Sequence, residues 1–153
     1  MTEFISEYDY IAAMLRHLIS NADLKSKVDA FHIDLPMSDI REALKTKKTI
    51  VGISIVHHYT KGSWGSAISK ITENKAIVQI DIVSQKGSNS KYAREIASYI
   101  KDLLYLWVDL TLDGDKYQIY NDHIDTDLVE YNTDYGAWHV VLSVYMEYWR
   151  VAP

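Results

Sequence analysis

The sequence predicts an α+β protein: a mainly antiparallel sheet with an N-terminal and a central helix packed on one face. Three stretches carry this expectation. Residues Ala76–Ser84 alternate, with Ala76, Val78, Ile80 and Ile82 on one face and Gln79 and Asp81 interrupting the other, as in a half-buried strand. After the turn and cap residues Gly87-Ser88-Asn89-Ser90, the spacing becomes helical, and Tyr92/Ala93, Ile96/Ala97, Ile100, Leu103/Leu104 and Trp107 recur every three to four residues. Near the end, Ala137–Arg150 places Trp138, Val140, Leu142, Val144, Met146 and Tyr148 on one face and His139, Ser143 and Glu147 on the other. Strands joined through turns favour hairpins, hence antiparallel pairing with helices gathered on one side.

In chain order, Ser6-Glu7-Tyr8-Asp9 reads as an N-cap with acid in the first turn, with Ile5 stapled to Tyr10. The helix that follows carries the stripe Tyr8, Ile11, Ala12, Leu15, Leu18 and Ile19. A short second helix over Ala22–Ala30 precedes a short strand, Phe31–Leu35, stopped by Pro36, which cannot donate to a ladder. Ser38 is expected to cap a further short helix reaching Leu44, and Lys45, Lys47 and Lys48 form a solvated connection.

Thr49–Tyr59 is the first long strand, with Val51, Ile53, Ile55 and Tyr59 on one face and Ile50, Gly52, Ser54 and Val56 on the other. Both faces are substantially apolar, which calls for cover on both sides, by protein layers or by a neighbouring subunit. Thr60–Asn74, rich in Gly, Ser and Lys, reads as a long hairpin tip with Trp64 upon it. Later, Asp113-Gly114 marks a turn before Tyr117, Ile119 and Asn121 in strand register. Asp122–Tyr131 is a further strand or a bulged edge, and Asn132–Gly136 turns the chain into the last strand.

A chain of 153 residues fits one domain, 1–153, with a core large enough to need no staples. Its hydrophobic fraction of 48% and charged fraction of 24% are those of a globular protein, and no apolar run is long enough to span a membrane. The acidic start MTEFISEYDY lacks the basic region of a secretory leader. The absence of cysteine removes disulfides, thiolate zinc sites and cysteine nucleophiles. A net charge of -5 argues against generic nucleic-acid binding, since neutralising phosphates takes a basic face. Twelve Tyr and four Trp against two Phe supply aromatic area with polar handles, the kind enriched at interfaces.

No catalytic signature is present, and each candidate site has a plainer reading. His57 and His58 are adjacent, so on a strand they point to opposite faces and cannot chelate together. His123 and Asp125 share a face if extended, forming half of a metal site that lacks identified partners. The acids Asp109, Asp113, Asp115, Asp122, Asp125, Asp127, Glu130 and Asp134 do not follow the ligand rhythm of a calcium loop; a solvated face, or a rim that repels like surfaces, accounts for them. An enzyme is thus unsupported by the residues, and so is a metal site.

The element order resembles that of the tail-terminator and minor tail (neck) proteins of long-tailed bacteriophages. The resemblance rests on the helix YDYIAAMLRHLI, the strand IVGISIVHH, the strand-helix pair VQIDIVSQKGSNSKYAREIASYIKDLL and the terminal strand WHVVLSVYMEYWR. It spans most of the chain, from Tyr8 to Arg150, and Phe31–Lys48 departs from the family pattern as an extension. It implies a protein that is not an enzyme and holds no cofactor: a virion protein of the tail or neck, assembled in the host cytoplasm, that caps the tail tube as a homo-oligomeric, hexameric ring and offers a head-joining surface. Its partners would be copies of itself, the tail-tube protein and head-completion or neck proteins, with no membrane and no sequence-specific nucleic acid. The alternatives are a head-completion or other neck protein, or a small-ligand-binding module or enzyme. From the residues themselves, Tyr59, Trp64, Tyr145 and Trp149 are the candidate oligomer-interface positions, the last two on one strand face; the competing reading packs most of them beneath helices.

Overall fold

The structure is a computed structural model that describes residues 7–65, 70–112 and 115–152. Among the described residues, four helices, α1 (Glu7–Ser20), α2 (Ala22–Lys27), α3 (Met37–Ala43) and α4 (Lys91–Leu104), accompany six strands. These are β1 (Ala30–Ile33), β2 (Thr49–Gly65), β3 (Lys70–Ser84), β4 (Leu106–Leu112), β5 (Asp115–Asn132) and β6 (Ala137–Ala152), in the sheet order β1-β2-β3-β6-β5-β4. Every neighbouring pair is antiparallel except β1 with β2, which is parallel and is reached through α3. The fold is thus α+β and mostly antiparallel, as the alternation predicts.

Helices α1 and α4 cover one face. From α4, Ala93, Ile96, Ala97, Ile100 and Leu104 join Val51, Ile53, Val78, Ile80, Ile82, Val140, Leu142 and Val144 in a continuous buried cluster. The α1 stripe sits one position away from the expected one: Ala13 and Met14 are buried with Ile11 and Leu18, while Ala12 and Leu15 are partly exposed. The expected Ser6 cap and Ile5 staple lie outside the described residues. Helix α4 ends at Leu104, and Trp107 belongs to β4, opposite Tyr120, although its spacing continues the helical pattern. Leu106-Trp107-Val108 is equally a β-forming run, and pairing with β5 decides the matter. The carbonyls exposed at the end of α4 are satisfied from other elements, with the Asn121 amide donating to Leu104 and the His17 ring nitrogen donating to Leu103 at 3.2 Å.

Helix α3 lies on the opposite face at one end, where Ile40 and Leu44 pack on Ile50, Val83 and Ala137. Pro36, not Ser38, occupies its N-cap, with the extended backbone that a proline ring favours; Ser38 falls within the first turn.

Within Thr60–Asn74, expected to be a long hairpin tip, residues 60–65 and 70–74 are strand. The β2–β3 ladder continues from Thr60 opposite Asn74 to Gly65 opposite Lys70, so Trp64 stands in a strand opposite Ile71. Register shifts interrupt β2 between Ile55 and His57 and between Thr60 and Gly62, and β5 between Asn121 and His123 and between Thr126 and Leu128. Each shift inserts a residue and turns the following side chains to the other face. Val56 therefore stands out of the ladder at 59% exposure, not on a second apolar face. For the same reason Tyr59 leaves the register of Ile55, which aligns with Val78 and Val144, and takes that of Lys75 and Glu147.

Candidate assembly surface

Beyond α3, the face opposite α1 and α4 is built from cross-strand rows. Running from β2 through β3 and β6 to β5, they are Ile50, Val83, His139, Glu130; Gly52, Asp81, Val141, Leu128; Ser54, Gln79, Ser143, Asp125; His57, Ile77, Tyr145, His123; and Tyr59, Lys75, Glu147, Tyr120. The strands that look inward as Val, Ile and Leu look outward as acids, amides, histidines and tyrosines, because neighbouring residues face opposite ways.

These polar groups are joined to one another. His139, 5% exposed, places Nε2 2.8 Å from Asp81 Oδ1, and the Gln79 amide donates to both Asp81 oxygens at 3.2 and 3.0 Å. Ser143 donates to Asp127, the extra residue of the second β5 bulge. The His123 ring stacks on Tyr145 with centroids 4.3 Å apart, and its Nε2 lies 3.4 Å from Asp125. Lys75 and Glu147 are paired at 3.1 Å. Asp81, Asp125, Asp127 and Glu147 each sit beside a hydrogen-bond donor, which makes a polar surface compatible with partial burial.

Hollows open on this side among the described residues. One, of about 160 Å³, lies between Leu35 and Ile40 on one wall and Gly52, Ser54, Gln79 and Asp81 on the other. The second, of about 380 Å³, is bounded by His57, Lys75, Ile77, Tyr120, Tyr145 and Glu147. At the α3 end, burial first and then the negative charges of Glu130, Asp134 and Asp81 push the Tyr135 hydroxyl above its ordinary pKa of 10.0.

The beginning of this face also has an open edge. Strand β4 pairs with β5 only from Asp115 to Asn121; from His123 onward β5 is paired with β6 alone among the described residues. The reading of Asp122–Tyr131 as a bulged edge agrees with this arrangement. Leu128 and Tyr131 stand 38% and 52% exposed along it, with exposed Asp125, Asp127 and Glu130 between and beside them.

The backbone register aligns Tyr59, Trp64, Tyr145 and Trp149 with this side, opposite α1 and α4, through the rows of Lys75, Ile71, Ile77 and Glu73 respectively. Tyr145 is half-buried against His123; the side chains of Tyr59, Trp64 and Trp149 lie outside the described residues. His57 and His58 align with different rows, opposite Ile77 and Ala76, as adjacent strand residues must. His123 and Asp125 do meet, but among the described residues no group of three or more metal-ligating side chains forms around them. The Asp81–His139 pair was not foreseeable from spacing, since 58 positions separate its members and the contact exists only because β3 and β6 are neighbours.

No family model and no curated protein matches this sequence. Solved structures do match. A chain of the native gene transfer agent (GTA) virion particle aligns with 91% of this chain and 92% of its own length at a TM-score of 0.54 and 14% identity. A second solved structure aligns over 98% of both chains at a TM-score of 0.60 and 12% identity. At these identities the likeness is one of fold, and it extends over nearly the whole chain.

Proposed function

We propose that the protein is a structural component of a phage-like virion, and that it acts as a tail terminator, capping the tail tube as a hexameric ring and offering a surface to head-completion or neck proteins. The observation that carries this reading is the fold shared, over nine-tenths of both chains, with a chain of the gene transfer agent virion. The element order agrees with it, and so does a sheet with helices α1 and α4 on one side and a polar, tyrosine-bearing face with an open edge on the other. In this role the work of the chain is geometric rather than catalytic: it holds copies of itself at a fixed angle around a tube.

The test is native mass by light scattering over a concentration series. A discrete species near six times the chain mass of 17.6 kDa is the expected result. A monomer at every concentration, together with no retention of the protein on purified tail tubes, defeats the reading. A Trp64→Ala variant adds residue detail: loss of the assembled species with an unchanged circular-dichroism melt places Trp64 at the interface, whereas a large fall in melting temperature places it in the core.

A further inference from the structure

The two lateral edges of the sheet carry opposite charge, and they terminate the same rows. Ala30 of β1 aligns with Ile50, Val83, His139 and finally Glu130 of β5; His32 aligns with Gly52, Asp81, Val141 and Leu128. Five strands at roughly 4.8 Å spacing put these edges about 19 Å apart.

At the β1 end, lysines gather around one acid. Asp29 Oδ2 accepts the backbone N–H groups of Lys48 and Thr49 at 2.8 and 3.0 Å. These two hydrogen bonds, followed by the nearby charges of Lys86 and Lys47, hold its carboxyl below the usual value despite some burial. Lys86 Nζ lies 5.0 Å from the Tyr92 ring centroid, Tyr92 donates its hydroxyl to the Lys27 carbonyl at 2.7 Å, and Lys27 Nζ lies 5.8 Å from the Tyr99 ring. Beside them runs a groove of about 760 Å³ with Tyr92 and Tyr99 in its wall and Lys27, Lys91 and Arg94 at its rim, where Glu95 and Asp102 supply the opposing charge. At the other end, the free half of β5 presents Asp125, Asp127 and Glu130, with exposed Leu128 and Tyr131 among them and Asp134 in the following turn. Lys101 reaches this strand from the α4 side, 2.6 Å from Thr126.

Bulges and acids on an edge discourage two such edges from pairing with each other. The same features complement the lysine end, which offers cations and an aromatic groove able to receive Leu128 and Tyr131. We propose that copies of this chain associate head to tail, with the acidic β5 edge of one seated against the lysine cluster and α4 groove of the next. The proposal rests on the assembly reading above and specifies its contact. An isologous dimer would set acid against acid, whereas a heterologous contact repeated in one sense joins opposite charges each time and closes when the rotation allows.

The experiment uses two variants of the full chain, Glu130→Lys/Asp134→Lys and Lys47→Glu/Lys86→Glu, each checked for a wild-type circular-dichroism melt. Native mass is measured at low salt. Each variant alone is expected to need at least about tenfold more protein to assemble than the wild type. Mixed together they offer both the native pair of surfaces and the charge-swapped pair, so alternating copies of the two variants are expected to assemble where neither does alone. Combining all four substitutions in one chain restores assembly. If the wild type assembles and the folded variants assemble just as well, or their mixture assembles no better than either variant alone, the head-to-tail contact is overturned while the assembly reading stands. If the wild type itself neither assembles in solution nor is retained on tail tubes, both fall together.

Discussion

The two faces of this sheet are made by the same strands and held by different physics. On the side of α1 and α4, Val78, Ile80, Ile82, Val140, Leu142 and Val144 are fully buried against Ile96 and Ile100, and stability comes from the removal of apolar area from water. On the other side the intervening residues hold one another by paired polar contacts, Asp81 with His139 and Gln79, Ser143 with Asp127, Lys75 with Glu147. The difference teaches that one face is finished by the chain itself, while the other is held by paired polar contacts and still available as a surface.

Substitutions that break this contrast should rank by face. Leu142→Ala, at a fully buried position of the covered face, should cost about 3 kcal/mol in chemical denaturation, with the residual cavity setting the exact size. A cost under about 1 kcal/mol would mean that the helix layer collapses onto the gap. His139→Ala on the open face should cost about 1–2 kcal/mol, because it leaves Asp81 with Gln79 but without its histidine. A loss as large as that of Leu142→Ala would show that the polar face is a second core.

Asp29→Ala, at the exposed sheet corner, removes the acceptor of two backbone N–H groups and should cost about 1 kcal/mol at neutral pH, at the low end because water replaces the carboxylate. Its pH dependence sharpens the assignment. The folded-state pKa lies below the ordinary 3.8, so the contribution is fully present above that value and is lost as pH falls through the folded pKa. Denaturation midpoints of wild type and variant should therefore converge in acid; parallel curves down to the lowest pH would refute the ionic origin. Val56→Thr, at the bulge, should change stability by less than about 0.5 kcal/mol.

The covered face was largely legible in the sequence, because burial imposes periodicity. The alternation of Ala76–Ser84 and Ala137–Arg150 and the spacing from Tyr92 to Leu104 each reappear as β3, β6 and α4. Errors arose where one pattern serves two structures. Trp107 fits the helical phase and a β run alike, and Gly62, Ser63, Gly65 and Lys70 look like loop chemistry although the ladder runs through them. The bulge at Val56 left no mark that spacing could reveal, yet it alone decides the register of Tyr59. The open face was legible only as an excess of tyrosine and a density of acids. Which of them meet depends on β6 lying between β3 and β5, a pairing between distant parts of the chain.

That insertion of β6 at the centre of the sheet also bears on how quickly the protein forms. The β2–β3 and β5–β6 hairpins are local and can close early, but the ladder uniting them joins Lys70–Ser84 to residues near the end of the chain, Trp138 through Ala152. Loop-closure entropy for that step must be met before its contacts repay it, so folding should proceed in milliseconds to seconds rather than microseconds. During synthesis, β3 waits with an unpaired edge until the last strand arrives, and the helix packed over both, α4, can dock fully only then. Exposure of that edge makes the nascent chain, more than the finished fold, the vulnerable species for aggregation.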